Sequence, residues 1–320
     1  MKPTNSNGVS SIKLPGRTGI NGGRTMTCQS TRVVVIICAS VAILCAAASG
    51  FGLLAAGNTS YKEFLSPRGE AYRLAMSGVY AYSPEGLVAE GVGWDFFTLV
   101  FVVPVLIVLL PFMAMGSARI RVMIVGVLGY TFYQYLMYAI GWAFGPLFLV
   151  HVAIVSLSLI GLVLVVGSID LVDLAEGIGP GFPIRGMATL SFSLAAGLTA
   201  LWLSRIVTAY SSGVAGILEG QSTFVVQALD LGLMVPLAAM TGILALRRRP
   251  VGYLLSAAVI VKAVAMAGAI CAMLIAEYLA GGTLDFVPLI LFATVAATAL
   301  WLAIRMYRNI PNGRVNGGTE

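Results

Sequence analysis

Charged residues and histidine are scarce in this sequence. Asp, Glu, Lys and Arg make up 10 % of the 320 residues, and His151 is the single histidine. One histidine cannot hold a haem iron from both sides within one chain, and the HExxH zinc motif is absent. The chain also lacks a P-loop and a GxSxG nucleophile motif. These absences exclude the familiar soluble chemistries that such motifs carry.

Cysteine offers no metal or redox site either. Cys28, Cys38, Cys45 and Cys271 are the four cysteines, three of them lie within apolar runs, and no pair forms a CxxC motif. A disulfide framework or a zinc site needs closer or more regular spacing. We therefore predict no metal, no cofactor and no catalytic residue.

Apolar residues, in contrast, are abundant. They make up 59 % of the chain, against about 45–50 % in soluble domains, and the mean hydropathy is +0.95. The net charge is +6, but the basic residues are dispersed between apolar runs rather than gathered in a patch with aromatic residues. The composition predicts an integral membrane protein, an all-α polytopic helix bundle embedded in lipid, and no nucleic-acid partner.

Eight apolar stretches are long enough to cross a bilayer. They cover residues 33–56, 95–115, 121–142, 147–166, 187–204, two helices within 224–276, and 288–305. The predicted transmembrane domain is 33–308, with an outer loop at 57–94 that contains a short surface helix near 66–78. The segments 1–32 and 309–320 are predicted to be cytoplasmic tails, and the first of them is predicted to be disordered because it is polar and lacks periodic apolar residues. The run 33–56 exceeds the length of a signal-peptide core, so we predict an uncleaved first helix.

The basic residues predict the orientation of the helices. With the N-terminus in the cytoplasm, 14 of the 19 basic residues fall on the cytoplasmic side, which is the distribution that the positive-inside rule expects. These residues are Lys2, Lys13, Arg17, Arg24, Arg32, Arg119, Arg121, Arg185, Arg247, Arg248, Arg249, Arg305, Arg308 and Arg314. Both termini are therefore predicted to be cytoplasmic.

The two halves of the chain share an outline that suggests a 4+4 parallel repeat. Each has an outer acid, a proline within a helix, a basic turn, and a polar residue 13 positions after an arginine of that turn. The corresponding residues are Asp95, Pro104, Arg121 and Gln134 in the first half and Asp230, Pro236, Arg249 and Lys262 in the second. The alternative is coincidence, since such residues recur at helix ends in many membrane proteins. Binding sites often lie where two such repeats meet.

Charged and polar residues inside apolar helices are the candidate site residues. Asp230 and Lys262 lie roughly 9 Å and 13 Å below the outer boundary of the membrane, at 1.5 Å per residue. By the same count Gln134 and His151 lie in the same outer half, and Tyr130 stands one turn from Gln134. Membrane charges are costly and mostly functional, so we predict a polar pocket for a ligand or protons, open to the outside, with an Asp230–Lys262 ion pair. The alternative is a permanent pair that locks two helices together.

Two further polar residues have simpler interpretations. Asp95 is placed where a side-chain oxygen would cap the second helix. His151 is as compatible with one interhelical hydrogen bond as with proton relay.

Three stretches carry a resemblance to known sequences. They are Val226–Gly232, Arg247–Tyr253 with the nearby Lys262, and the turn Gly145–Phe148. In these residues the chain resembles a family of uncharacterised polytopic bacterial membrane proteins. The resemblance implies a bacterial inner membrane and transfers no activity or site residue.

These observations favour a transporter or channel-like carrier of a small polar solute, with or without coupling to protons. A membrane sensor or assembly factor that acts through the outer loop 57–94 is the alternative. A membrane-embedded enzyme would need a nucleophile or metal set, and the sequence offers one histidine and scattered serines and tyrosines. The expected partners are the lipid bilayer and a small solute, and a homo-oligomer stays open.

Overall fold

The computed structural model describes residues 28–56, 59–113, 117–214, 217–218, 220–279 and 283–312. The predicted tails lie outside these residues, except for 28–32 and 309–312. In chain order the elements are α1 (Cys28–Ala56), β1 (Tyr61–Leu65), β2 (Ala71–Ala75), α2 (Glu85–Phe97), a π-helical segment (Thr98–Val102), α3 (Val103–Met113), α4 (Ala118–Gly141), α5 (Phe148–Gly167), α6 (Leu171–Glu176), α7 (Ile184–Ser212), α8 (Val225–Leu229), a second π-helical segment (Asp230–Met234), α9 (Val235–Leu246), α10 (Pro250–Leu279) and α11 (Phe286–Arg308).

Eight helical spans in the described residues are long and apolar enough to cross a membrane, which confirms the predicted all-α polytopic bundle. Span 1 is α1, span 3 is α4, span 4 is α5, span 5 is α7, span 7 is α10 and span 8 is α11. Span 2 joins α2 and α3 through the first π-helical segment, and span 6 joins α8 and α9 through the second.

The packing of the spans has the approximate two-fold pattern expected of a 4+4 parallel repeat. In the first half, span 1 packs on spans 2 and 4, and span 3 packs on span 4. In the second half, span 5 packs on spans 6 and 8, and span 7 packs on span 8. The halves meet where span 2 packs on span 7, span 3 on span 6, and span 3 on span 7. Spans 2, 3, 6 and 7 therefore form the centre of the bundle.

The two π-helical segments align the two halves of the chain differently from the predicted repeat. Each is followed directly by a Val-Pro pair, Val103-Pro104 in span 2 and Val235-Pro236 in span 6. The segments begin at Thr98 and Asp230, so Asp230 is matched by Thr98 and not by Asp95. Proline has no backbone donor, which frees a carbonyl in the preceding turn and favours the wider π-helical turn there.

Span 2 begins at Glu85 rather than at the predicted Asp95. Asp95 lies inside the helix with 1 % of its surface exposed, so its prediction as a helix cap is wrong. The helix can continue through this acid because Tyr80 and Tyr138 donate hydrogen bonds to the carboxylate. Because span 2 begins at Glu85, the outer loop before it is shorter than the predicted 57–94.

The outer loop contains a β-hairpin and not the predicted surface helix at 66–78. Strands β1 and β2 pair antiparallel, with Tyr61 opposite Ala75 and Leu65 opposite Ala71. Gly69 has a φ of +84° in the connecting turn, a conformation that glycine adopts without strain. An ion pair of 2.8 Å between Arg73 and Glu85 joins the hairpin to the start of span 2. Successive side chains of each strand point to opposite faces of the hairpin, so these residues do not form the single face that a surface helix would have.

Arginines organise the opposite face of the bundle. Arg119 donates to the Ile310 carbonyl oxygen from Nε and Nη2, at 3.0 and 2.8 Å, and so satisfies the C-terminal end of span 8. Arg121 donates at 2.7 Å to the Ser168 carbonyl oxygen, just after span 4. Both ends of the described chain lie on this face, as eight crossings require. It is the face that the basic residues predict to be cytoplasmic.

Candidate functional site

The candidate site lies in the centre of the bundle, where the two halves meet. Each of the four central spans contributes one side chain: Trp94 from span 2, Tyr133 from span 3, Asp230 from span 6 and Lys262 from span 7. Trp202 of span 5 completes the group. We call these five residues the Asp230–Lys262 cluster.

Asp230 is the first residue of the second π-helical segment and only 3 % of its surface is exposed. The Tyr133 hydroxyl donates to Oδ1, and Trp202 Nε1 donates to Oδ2 at 2.9 Å. A buried carboxylate must be paired or hydrogen-bonded, and here aromatic donors from two other spans do this. The carboxylate therefore ties span 6 to spans 3 and 5.

Lys262 is almost completely buried, with 4 % of its surface exposed. Its Nζ atom lies 3.9 Å from the centre of the Tyr133 ring and 5.0 Å from the centre of the Trp94 ring. A cation over the face of an aromatic ring is stabilised by about 2 kcal/mol or more when it is desolvated. Asp230 and Glu90 are the acidic groups close enough to act on its charge.

Asp230 and Lys262 are not in direct contact. Within the described residues, no carboxylate oxygen lies within 4.0 Å of the Lys262 ammonium, and the one ion pair found is Arg73–Glu85. Tyr133 lies between the two charges, since its hydroxyl binds Asp230 and its ring face binds Lys262. The predicted ion pair between spans 6 and 7 is thus replaced by an acid–tyrosine–lysine arrangement that also includes span 3.

Two polar atoms close to this cluster have no hydrogen-bond partner in the described part of the chain. They are the amide nitrogen and oxygen of Gln134, a residue with 0 % exposure that follows Tyr133 in span 3. A buried polar group without a partner costs about 1–3 kcal/mol, which a bound water or solute can recover. Lys262, which contacts the rings of Tyr133 and Trp94, adds three N–H donors. The uncommitted groups of this site are therefore mostly hydrogen-bond donors.

Gln134 and Tyr130 share one face of span 3. Residues four apart lie above one another on a helix, so Gln134 stands between Tyr130 and Tyr138. The Tyr130 hydroxyl lies 3.2 Å from Thr98 Oγ1, and its ring packs on Trp94, with centroids 6.3 Å apart. Tyr138 lies 2.9 Å from the Gly91 carbonyl oxygen. This face of span 3 therefore contacts span 2. There, the ring of Trp94 contacts both Tyr130 of span 3 and Lys262 of span 7.

His151 belongs to a second polar cluster. Its ring stacks on Tyr138, with centroids 5.1 Å apart, and lies 5.6 Å from the ring of Tyr135. Tyr138 in turn lies 3.2 Å from Oδ1 of Asp95, and the other carboxylate oxygen, Oδ2, accepts a hydrogen bond from Tyr80. We call His151, Tyr135, Tyr138, Asp95 and Tyr80 the Asp95 cluster. The structure therefore divides the single pocket that the sequence predicts into two groups.

Tyr80 joins the outer loop to the Asp95 cluster. Burial, followed by the charge of Asp95, raises the pKa of the Tyr80 hydroxyl well above its usual range. The hydroxyl therefore stays protonated and remains a donor to Asp95 at any physiological pH. This contact fixes the loop on top of spans 1, 2 and 3.

An outer vestibule lies above the Asp230–Lys262 cluster. This cavity of about 340 Å³ is lined by the hairpin, the end of span 3 and the start of span 6, including Tyr72, Ile140 and Val225. Val225 is five residues before Asp230, a rise of about 8 Å along span 6. Ile140 lies after Tyr133 by a rise of about 10 Å along span 3. The vestibule thus lies over the two spans that form the hydrogen bond between Tyr133 and Asp230.

Trp94, Trp202 and Glu90 are site residues that sequence reasoning missed, and Tyr133 stands out in the sequence only as one of several tyrosines. Tryptophan and tyrosine are common at membrane interfaces, so their presence gives no signal by itself. Their role depends on which spans are neighbours, and that is a property of the fold.

Comparison of the chain with family models, with curated proteins and with solved structures found no match.

Proposed function

We propose that the protein is a carrier of a small polar solute, with proton coupling through the Asp230–Lys262 cluster. The observation that carries the proposal is a buried lysine without an ion-pair partner, held between the two halves of the bundle beside unpaired polar atoms. A purely structural charge would be expected to have a direct partner, because an unpaired buried ammonium is costly. Donors in excess at this position suit a solute that carries a carboxylate or another acceptor group.

The coupling step begins at Asp230. As a carboxylate, Asp230 accepts charge-assisted hydrogen bonds from Tyr133 and Trp202, and such bonds contribute about 1.5–3 kcal/mol each. Protonation removes the negative charge and weakens both bonds at once. Span 6 is then less firmly tied to spans 3 and 5, and the charge of Lys262 becomes available to an acceptor group of the solute.

The π-helical segments and the prolines are the parts of spans 2 and 6 suited to movement. A π-helical turn leaves the regular hydrogen-bond ladder of a helix and is frequent at functional sites. Both segments occur at equivalent places in the two halves, and the second begins at Asp230 itself. A shift of span 6 about this segment would open the cluster to the outer vestibule. Alternating access by movement of one repeat against the other is common in carriers built from repeats.

The proposed location is a bacterial inner membrane. The resemblance of Val226–Gly232 and Arg247–Tyr253 to bacterial membrane proteins supports this. The multi-pass bundle agrees with any cellular membrane.

The test is electrical recording from proteoliposomes adsorbed on a solid-supported membrane. A panel of amino acids, carboxylates, amines and sugars is applied in turn, and the transient current for each class is measured. We expect at least one class to evoke a current that the Asp230→Asn variant does not show. Asp173→Asn, which neutralises an exposed acid on the opposite face, is the matched control and should keep the current. A current that survives Asp230→Asn would contradict the site assignment.

A sensor or assembly factor is the second candidate, and the folded hairpin favours it. The hairpin is held to the bundle by the Arg73–Glu85 ion pair and by a hydrogen bond from Arg68 to the Ser222 carbonyl oxygen at 3.4 Å. A rigid outer surface of this kind suits a protein partner. In that case, replacing the hairpin by a short linker would remove function, whereas Asp230→Asn would leave it intact.

A further inference from the structure

A groove runs along the outside of the bundle between spans 2, 3, 7 and 8. It has a volume of about 350 Å³ and is open along one side. Phe101 of span 2, Met123 of span 3, Val264 of span 7 and Ile304 of span 8 are among its walls, which are almost entirely apolar. The groove does not reach the Asp230–Lys262 cluster, so a ligand bound in it would be independent of the proposed transport function.

Two arginines lie at one end of this groove. Arg119, in the first turn of span 3, and Arg308, the last residue of span 8, both line it. No acidic side chain is among the described residues that line the groove. Hydrogen bonds from Nε and Nη2 to the Ile310 carbonyl oxygen, and from Nη2 to the Arg308 carbonyl oxygen at 3.3 Å, fix the Arg119 guanidinium, and Nη1 has no acceptor in the described part of the chain. The fixed guanidinium therefore keeps two N–H groups for a ligand.

The length of the groove matches one leaflet of a bilayer. From Arg119 to Val127, span 3 rises by about 12 Å, and span 8 rises by the same amount between Leu300 and Arg308. One leaflet contributes about 15 Å of hydrocarbon. The two arginines thus lie at the level of the lipid head groups, and the apolar walls lie at the level of the acyl chains.

We propose that this groove binds one anionic phospholipid, with the phosphate at Arg119 and Arg308 and an acyl chain along the apolar walls. Guanidinium groups are well suited to phosphate because they donate in a fixed planar geometry. A free phosphate ion would leave the apolar walls unfilled.

Native mass spectrometry of the full chain in detergent tests this site. Phosphatidylglycerol or phosphatidylcholine of the same chain length is added, and the retained lipid is counted at increasing collision energy. We expect one phosphatidylglycerol to stay bound under conditions that remove phosphatidylcholine. Arg308→Gln should weaken its binding about tenfold, as the loss of one charge-assisted hydrogen bond does.

Two further variants separate this site from general surface charge. Arg305→Gln is the matched control, since Arg305 is one turn away on the same helix, 5.1 Å from the Trp301 ring and outside the groove. It should leave lipid binding unchanged. Ala303→Trp fills the groove without any change in charge and should remove the bound lipid. Equal retention of both lipids, an equal effect of Arg305→Gln and Arg308→Gln, or full binding by Ala303→Trp would each overturn the proposal.

Discussion

Two buried carboxylates in the centre of this bundle have nearly the same surroundings but differ in one respect. Asp230 accepts hydrogen bonds from Tyr133 of span 3 and from Trp202, and Asp95 accepts them from Tyr138 of span 3 and from Tyr80. Both are therefore satisfied by aromatic donors. The difference is Lys262, which faces the same tyrosine that binds Asp230.

The Asp95 cluster has no such cation. In the described part of the chain, no lysine or arginine lies over the ring of Tyr80 or Tyr138, whereas Lys262 lies over the ring of Tyr133. Its members belong to the first half of the bundle and the outer loop, whereas the Asp230–Lys262 cluster draws on both halves. A closed set of hydrogen bonds within one half stabilises the fold. Under the proposed function, an unpaired charge between the two halves is the arrangement that changes during transport.

Substitutions that break the Asp95 cluster should destabilise the protein more than substitutions in the Asp230–Lys262 cluster. A Cβ atom at Gly52 of span 1 would lie 1.8 Å from Asp95 Oδ2 and 2.9 Å from the Tyr80 hydroxyl oxygen. Gly52→Val should therefore displace the carboxylate and lower the free energy of unfolding by about 3 kcal/mol, through lost hydrogen bonds and buried unpaired groups. Thermal unfolding in detergent, followed by tryptophan fluorescence, measures this change.

Gly50→Val is the matched control for that variant. It lies two residues earlier on the same helix, and a Cβ atom there meets nothing within 4 Å. An equal loss of stability in both variants would mean that valine disturbs span 1 in general. The role of the Asp95 cluster would then need another explanation.

Removing single hydroxyl groups sharpens the comparison. Tyr133→Phe keeps the ring under Lys262 and removes the donor to Asp230, so the solute-evoked current should fall about tenfold, which corresponds to about 1.4 kcal/mol. Tyr138→Phe removes the equivalent donor to Asp95 and should lower stability by about 1 kcal/mol while the current per folded protein is kept. A current that falls equally in both variants would contradict the separation of the two clusters.

The sequence predicts the spans because each is a long apolar run whose length matches the bilayer, and this signal is local. It misplaces the start of span 2 because Glu85, Glu90 and Asp95 look like a polar loop until their partners are known. Asp95 is tolerated in a helix only because Tyr80 and Tyr138 reach it from other elements.

The sequence predicts the candidate site only in part, for a related reason. The predicted depth in the membrane identifies Asp230, Lys262, Gln134 and Tyr130 as candidate site residues. The same criterion also groups His151 with them. Depth does not say which spans are neighbours, so the role of Tyr133 between the two charges and the assignment of His151 to the Asp95 cluster require the fold.

The central claim is that Lys262 takes part in solute movement and does not merely hold the helices together. The most direct measurement is the solute-evoked current of Lys262→Met compared with Lys62→Met, at equal amounts of reconstituted protein. Methionine has a similar shape and removes a buried charge, so folding should be kept, and Lys62 is an exposed lysine on the hairpin. The account predicts no current from Lys262→Met and a full current from Lys62→Met. A full current from both variants would show that Lys262 is a structural residue.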